Sequence, residues 1–318
     1  MDAADRTVDI VALGEAMIEL NAARSATGDT YLRGYGGDTS NMAIAAARLG
    51  RSLPKPLRVA YATRVGDDTF GRLLLDLWRR EHVDTAQVAM DPSAPTGMYF
   101  VTHGAQGHEF SYMRAGSAAS RMTPASVSRE QIEGARLLHV SGISAAISPS
   151  ACDAVLGAIA IARDARTLVS FDPNLRLKLW PLARARAVTR EAMRSCNVFL
   201  PSLDEARTLS GRENPDEILD WAHDHGPSIV ALKCGTDGVW ISDARERVQV
   251  PAHKVAAIDA TGAGDCFDGA FCVRILAHDD AFSAGRYANA AAALATLGFG
   301  AVAPLPDDAA VRALLERA

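Results

Sequence analysis

The chain has no excess of basic residues: 33 Lys and Arg stand against 38 Asp and Glu, a formal net charge of −5, with both signs interspersed. That argues against nucleic acid or an acidic membrane surface as a partner, since either needs a concentrated positive field. No stretch approaches the roughly 18 to 20 uncharged apolar residues of a membrane span, and Met1 to Asp9 is acidic, without an apolar signal core. The five cysteines (Cys152, Cys196, Cys234, Cys266 and Cys272) are odd in number and scattered, with no zinc or CxxC spacing. They read as reduced thiols, so a cytoplasmic protein is expected. No repeat, low-complexity tract or long linker divides the chain. No GxGxxG follows the first apolar run, where Gly14-Glu15-Ala16 stands instead, which disfavours a nicotinamide dehydrogenase. The expected partner is a small molecule.

What is present is ordinary globular composition, 48% hydrophobic and 22% charged over 318 residues. It is enough for one sizeable core with an appended subdomain. Apolar runs bounded by turn residues recur at Ile10–Leu13, Val59–Ala62, Leu137–Val140, Leu168–Phe171, Val198–Leu200 and Ile229–Leu232. They predict buried strands. Between most of them lie helix-period segments at Asn41–Leu49, Phe70–Glu81, Ser150–Arg163, Arg184–Cys196 and Pro215–His225. Gly264–His278, Phe282–Leu297 and Asp307–Arg317 extend that pattern to the carboxyl end. The alternation predicts an α/β fold with a central, mostly parallel sheet flanked by helices. Met17–Leu20, Thr30–Tyr35, Met98–His103 and His108–Met113 break the rhythm as short strands without helices, the last two joined by a Gly104 to Gly107 turn. They predict a small β-sheet lid, from about 15 to 35 and 96 to 114, on a single domain spanning 1 to 318.

The segment Asp259-Ala260-Thr261-Gly262-Ala263-Gly264-Asp265 precedes a long helical pattern. Small residues let backbone N–H groups approach an anion, and a helix amino end adds partial positive charge. Gly262, Ala263 and Gly264 therefore predict a phosphate nest. An acid at its mouth is explained if Asp265 accepts a proton from a neighbouring hydroxyl; the plainer alternative is a helix cap. Gly36-Gly37-Asp38-Thr39-Ser40-Asn41 offers a glycine pair before polar side chains, suited to close packing of a polyhydroxyl ligand, or to an ordinary turn and cap.

These two segments, in this order, resemble the signatures of the ribokinase-like (PfkB-type) carbohydrate kinases, and the resemblance spans roughly Val8 to Leu305. It implies an ATP-dependent sugar kinase with Asp265 as general base, Gly262 to Gly264 as anion hole, and Gly36, Gly37, Asp38 and Asn41 on the sugar. Pro201-Ser202-Leu203-Asp204-Glu205 is similar to the family's Asn-x-x-Glu segment, with Ser202 in place of Asn. There Glu205 would organise Mg²⁺ indirectly, near the phosphates. Lys233-Cys234-Gly235-Thr236-Asp237-Gly238 resembles the family's glycine turn under the nucleotide. Asn174, Ser202, Lys233, Gly235, Asp237 and Gly238 are thus implied ATP contacts, and a monovalent cation such as K⁺ is implied near Asp259.

Within the family the chain looks most like the 2-keto-3-deoxygluconate kinases, from Gly14-Glu15-Ala16-Met17, Thr96-Gly97-Met98-Tyr99, Tyr112-Met113-Arg114 and Asp172-Pro173-Asn174-Leu175-Arg176. A keto acid carries a carboxylate, which a guanidinium suits. Arg114 and Arg176 are the expected receptors, with a solvated strand end and an ATP phosphate as their respective alternatives. Tyr99 and Tyr112 would donate hydrogen bonds or cover the lid. Neutral sugars such as fructose or another ketose, nucleosides, and a non-catalytic sugar-sensing protein stay open. Asp268 is expected on solvated helix surface, and a homodimer or higher homo-oligomer is expected to pair through the lid.

Overall fold

The structure is a computed structural model describing residues 8–23, 30–104, 107–243 and 245–317. The amino end to Thr7, part of the first lid segment and the tip of the Gly104 to Gly107 turn lie outside the described residues. The strands are β1 (Ile10–Leu13), β2 (Met17–Ala22), β3 (Tyr31–Gly36), β4 (Val59–Gly66), β5 (Val83–Asp84), β6 (Val88–Asp91), β7 (Met98–Gly104), β8 (Gly107–Met113), β9 (Leu137–Ser141), β10 (Leu168–Asp172), β11 (Val198–Phe199), β12 (Ile229–Lys233), β13 (Val239–Ser242) and β14 (Arg247–Val250). The large sheet runs β14-β13-β12-β11-β10-β9-β1-β4-β5, with β6 paired to β4. All its pairs are parallel except β12 with β13 and β13 with β14.

The six apolar runs are β1, β4 and β9 to β12, and they adjoin one another. Their continuous hydrophobicity follows from burial on both faces: Ile10 and Ala12 join one core layer, while Val11 and Leu13 join the other. Sequence periodicity does not find β5 and β6, which are too short to show a period. Strand order reverses at β1, flanked by β4 on one side and β9 on the other. Open α/β sheets bind ligands beyond the carboxyl ends of strands at such a switch.

The four strands predicted to stand apart form their own sheet, in the order β3-β2-β7-β8. Two helices bridge the sheets to the site. Asp38–Gly50 and Ala263–Leu276 pack so closely that a Cβ on Gly269 would come within 2.7 Å of the Met42 carbonyl. Gly269 therefore serves helix packing.

Candidate active site

The site starts at Gly37, whose φ of 113° and whose approach to Glu15 leave no room for a side chain: a Cβ would lie 2.4 Å from the Glu15 carbonyl. The turn launches the Asp38–Gly50 helix with Asp38 and Asn41 one turn apart on it. The Asp38 carboxylate accepts Asn174 Nδ2 at 2.7 Å, so an implied sugar contact adjoins an implied ATP contact. Asn41 Nδ2 donates to Asp265 Oδ2 at 2.8 Å, joining the two signatures across 224 residues. Asn41 Oδ1 is buried and has no hydrogen-bond partner among the described residues.

Asp265 sits in the first turn of the Ala263–Leu276 helix, capped by Gly262 in the left-handed region at φ 77°. A Cβ at Gly262 would press on Ala301 at 2.8 Å. Cys266 makes the first helical bond, to the Gly262 carbonyl at 2.8 Å, and the Ala263 amide bonds the Ala260 carbonyl at 3.2 Å. With the Ala263 amide engaged, the amides of Gly264 and Asp265 are the first-turn donors without a backbone partner among the described residues. Asp259 braces the loop, accepting Thr261 Oγ1 at 2.7 Å and the Gly300 amide at 2.9 Å.

Half-buried Asp265 is pushed up to about 7, first by desolvation and then by the negative charge of Asp38; the Asn41 hydrogen bond and the Lys233 charge act the other way. A carboxyl poised there is suited to proton transfer near neutrality. It does not cap the helix either: the cap position is Gly262, with no side-chain cap hydrogen bond.

Lys233, at the end of β12, donates to Asp172 Oδ2 at 3.0 Å and Asp268 Oδ1 at 2.9 Å. Asp268 is therefore not solvated helix surface, since only 1% of it is exposed. Its helix is buried without interruption from Cys266 to Val273, so an acid within it needs a partner. Glu205 and Ser202 close a capping box, and Glu205 also accepts the Leu175 amide at 2.8 Å. Burial raises the Glu205 carboxyl above its ordinary range. Arg176 is exposed and lies 3.6 Å from Glu205. Gly235 and Gly238 turn the chain between β12 and β13 around Asp237; at Gly238 a Cβ would meet the Val250 carbonyl at 2.0 Å.

On the small sheet, Tyr99 is buried and its hydroxyl donates to Glu19, while a Cβ on Gly36 would strike that hydroxyl. Half-exposed Tyr112 stacks at 5.7 Å from Tyr99. Arg114 is not a solvated strand end: it is 8% exposed, ion-paired to buried Glu15, and lies over the Tyr112 ring. Its Nε is buried without a hydrogen-bond partner among the described residues. Sequence reasoning missed the roles of Glu15, Glu19 and Asp172; the last was visible as an acid ending a buried strand. A cavity of about 680 Å³ lies under the small sheet and reaches Asp259 and Thr261, but Asp38, Asn41 and Asp265 do not line it.

The pfkB family carbohydrate kinase pattern matches residues 8–308. The chain belongs to the pfkB family of carbohydrate kinases. A 2-dehydro-3-deoxygluconokinase from Thermoproteus tenax is 35% identical over 92% of this chain and 89% of its own. Fructokinase-1 from Oryza sativa subsp. japonica is 32% identical over 99% of this chain and all of its own. A putative Ribokinase II from E. coli, solved with ATP and Mg²⁺, superposes with a TM-score of 0.89 at 24% identity, covering 98% of this chain and all of that one. The family is thus shared by relatives named for an acid sugar and for a neutral one.

Proposed function

We propose that this kinase transfers the γ-phosphoryl group of ATP to the terminal hydroxyl of 2-keto-3-deoxygluconate. Asp265 accepts the hydroxyl proton, and the first-turn amides meet the charge developing on the phosphoryl group. Among the described residues no His, Cys, Asp and Glu cluster forms a metal cage. That fits Mg²⁺ arriving on the nucleotide phosphates, where Glu205 would orient it through water and it would supply charge neutralisation. A monovalent cation near Asp259 belongs to the same reading. Asn41 Oδ1 supplies an acceptor for a sugar hydroxyl.

The observation that carries the acid sugar is Arg114. A buried guanidinium N–H without a partner is costly, and a substrate carboxylate would satisfy it. Glu15 keeps the charge tolerable before substrate arrives. Arg176, beside Glu205, serves the nucleotide phosphates in this reading. The small sheet acts as a lid that excludes water during transfer. Fructose is the second reading, favoured by the fructokinase relatives. The deciding measurement is ADP release by the purified protein over acid sugars, hexoses, pentoses and nucleosides. Preference for the keto acid is the expected result; preference for fructose overturns the acid-sugar assignment and leaves the kinase.

A further inference from the structure

Beyond the proton acceptor, the site holds a buried cation flanked by two acids. We propose that Lys233 is a catalytic residue that meets the phosphoryl group in flight, and that Asp172 and Asp268 are its positioning residues. The inference rests on the kinase reading but not on which sugar is used.

Three observations carry it. Lys233 Nζ is held from two sides, at 3.0 Å by Asp172 and 2.9 Å by Asp268, from a strand end and from the helix that bears Asp265. A Cβ on Gly264 would lie 3.6 Å from that Nζ, so the ammonium stands beside the backbone of the nest. An ammonium has three donors, and two are taken here. The third observation is the setting: the side chains of Lys233, Asp172 and Asp268 are 14%, 7% and 2% exposed. Buried ion pairs rarely stabilise a fold better than apolar packing would. A kinase site, where anionic phosphoryl oxygens must be met without reorganisation, accounts for the expense.

The charged groups facing Lys233 are Asp172 from β10, Asp268 and Asp265 from the Ala263–Leu276 helix, and Glu205 from the helix after Ser202; neutral His139 lies behind them on β9. Burial would raise Asp172, but the Lys233 charge outweighs it and holds that carboxyl below its ordinary range. Burial raises the Asp268 carboxyl well above its ordinary range, against the pull of the Lys233 charge. In the transfer, the sugar oxygen bonds the γ-phosphorus and the bond from that phosphorus to the bridging oxygen breaks. The electron pair leaves on ADP and the hydroxyl proton goes to Asp265. Lys233 keeps its protons throughout.

The test uses the purified protein with whichever sugar it phosphorylates fastest. Lys233→Met should lower kcat by about 10²- to 10³-fold, as loss of one preorganised donor does, with KM for the sugar held within about threefold. The acid limb of the pH profile should move upward, because Lys233 no longer lowers Asp265. Asp268→Leu should lower kcat about tenfold, and Asp268→Asn, which keeps the shape and an oxygen to accept from Lys233, should recover most of it. Lys233→Met/Asp172→Asn removes one charge of each sign, and serves if the single variant does not fold. A Lys233→Met or double variant with kcat within about threefold of wild type, or with loss confined to KM for ATP, overturns the proposal alone. No ADP release by the wild type on any sugar would sink the kinase reading and this proposal together.

Discussion

The two sheets are built to different rules. In the large sheet the strands lie between two hydrophobic layers, and the ends of β10 and β12 bring Asp172 and Lys233 together in a buried ion pair. The small sheet leaves Tyr31, Leu32, Phe110, Tyr112 and Met113 exposed, and of its polar groups it buries Glu19, while Arg114 is buried just beyond β8. Rigid burial is what a proton acceptor and an anion nest require, since their geometry must not relax. A surface that opens and closes can instead carry choice among substrates. On the proposed reading the chemical step belongs to the large sheet and its helices, and selection to the small sheet.

The largest expected effect breaks the first half of that comparison. Asp265→Asn keeps shape and the Asn41 contact but removes the proton acceptor, so turnover should fall by at least about 10²- to 10⁴-fold on every sugar, with nucleotide binding retained. In the wild type, kcat/KM should fall as pH drops below about 7, where Asp265 becomes protonated. Near-normal turnover in Asp265→Asn, or a rate flat from pH 8 to 5, would show that the acid is not the base.

A smaller and more selective effect is expected from the small sheet. A hydrogen bond to a charged group contributes roughly 1.5 to 3 kcal/mol, about 10- to 150-fold in binding. Arg114→Ala should cut kcat/KM for 2-keto-3-deoxygluconate by that factor and leave fructose much less affected. Equal depression of both sugars would mean that removing the guanidinium, and leaving Glu15 unpaired, damages the site generally. Smaller again is association: the exposed apolar side chains of the small sheet predict pairing of copies, and a monomer by light scattering at micromolar concentration contradicts it.

Much of this division was legible in the sequence, because each sheet has its own period. The run Ile10–Leu13 is β1 to the residue, the other continuous runs start where their strands do and differ at the far end, and the strands without helices form the small sheet. What was not legible was long-range pairing. No local signal says that Asp268, three residues after Asp265, turns inward to Lys233, or that Arg114 folds back on Glu15, 99 positions earlier. Asp268 reads as solvated, and a solvated strand end is the alternative reading for Arg114, because that is the ordinary fate of a single charge on a helix or strand end. Proximity of charges depends on packing, and for Asn41 and Asp265 it was reached only through the paired motifs.

The smallest prediction separates chemistry from stability at the same residue. Asp265 has a raised folded-state pKa, about 7 against an ordinary 3.8. The folded protein thus binds that proton more tightly than the unfolded chain does. The stability this group contributes is complete below about pH 4 and is lost as pH rises through about 7, because a carboxylate must then be kept poorly solvated beside Asp38. Asp265→Asn has no such group to ionise, and Asn41 can still donate to its side-chain oxygen. The variant should therefore melt a few degrees above wild type at pH 8, and the gap should narrow steadily toward pH 5. All other titrating groups are common to both proteins and cancel in the difference. A gap that is constant with pH, or that widens on acidification, would mean that Asp265 is well solvated at rest, and the acid limb near pH 7 would then need a different owner.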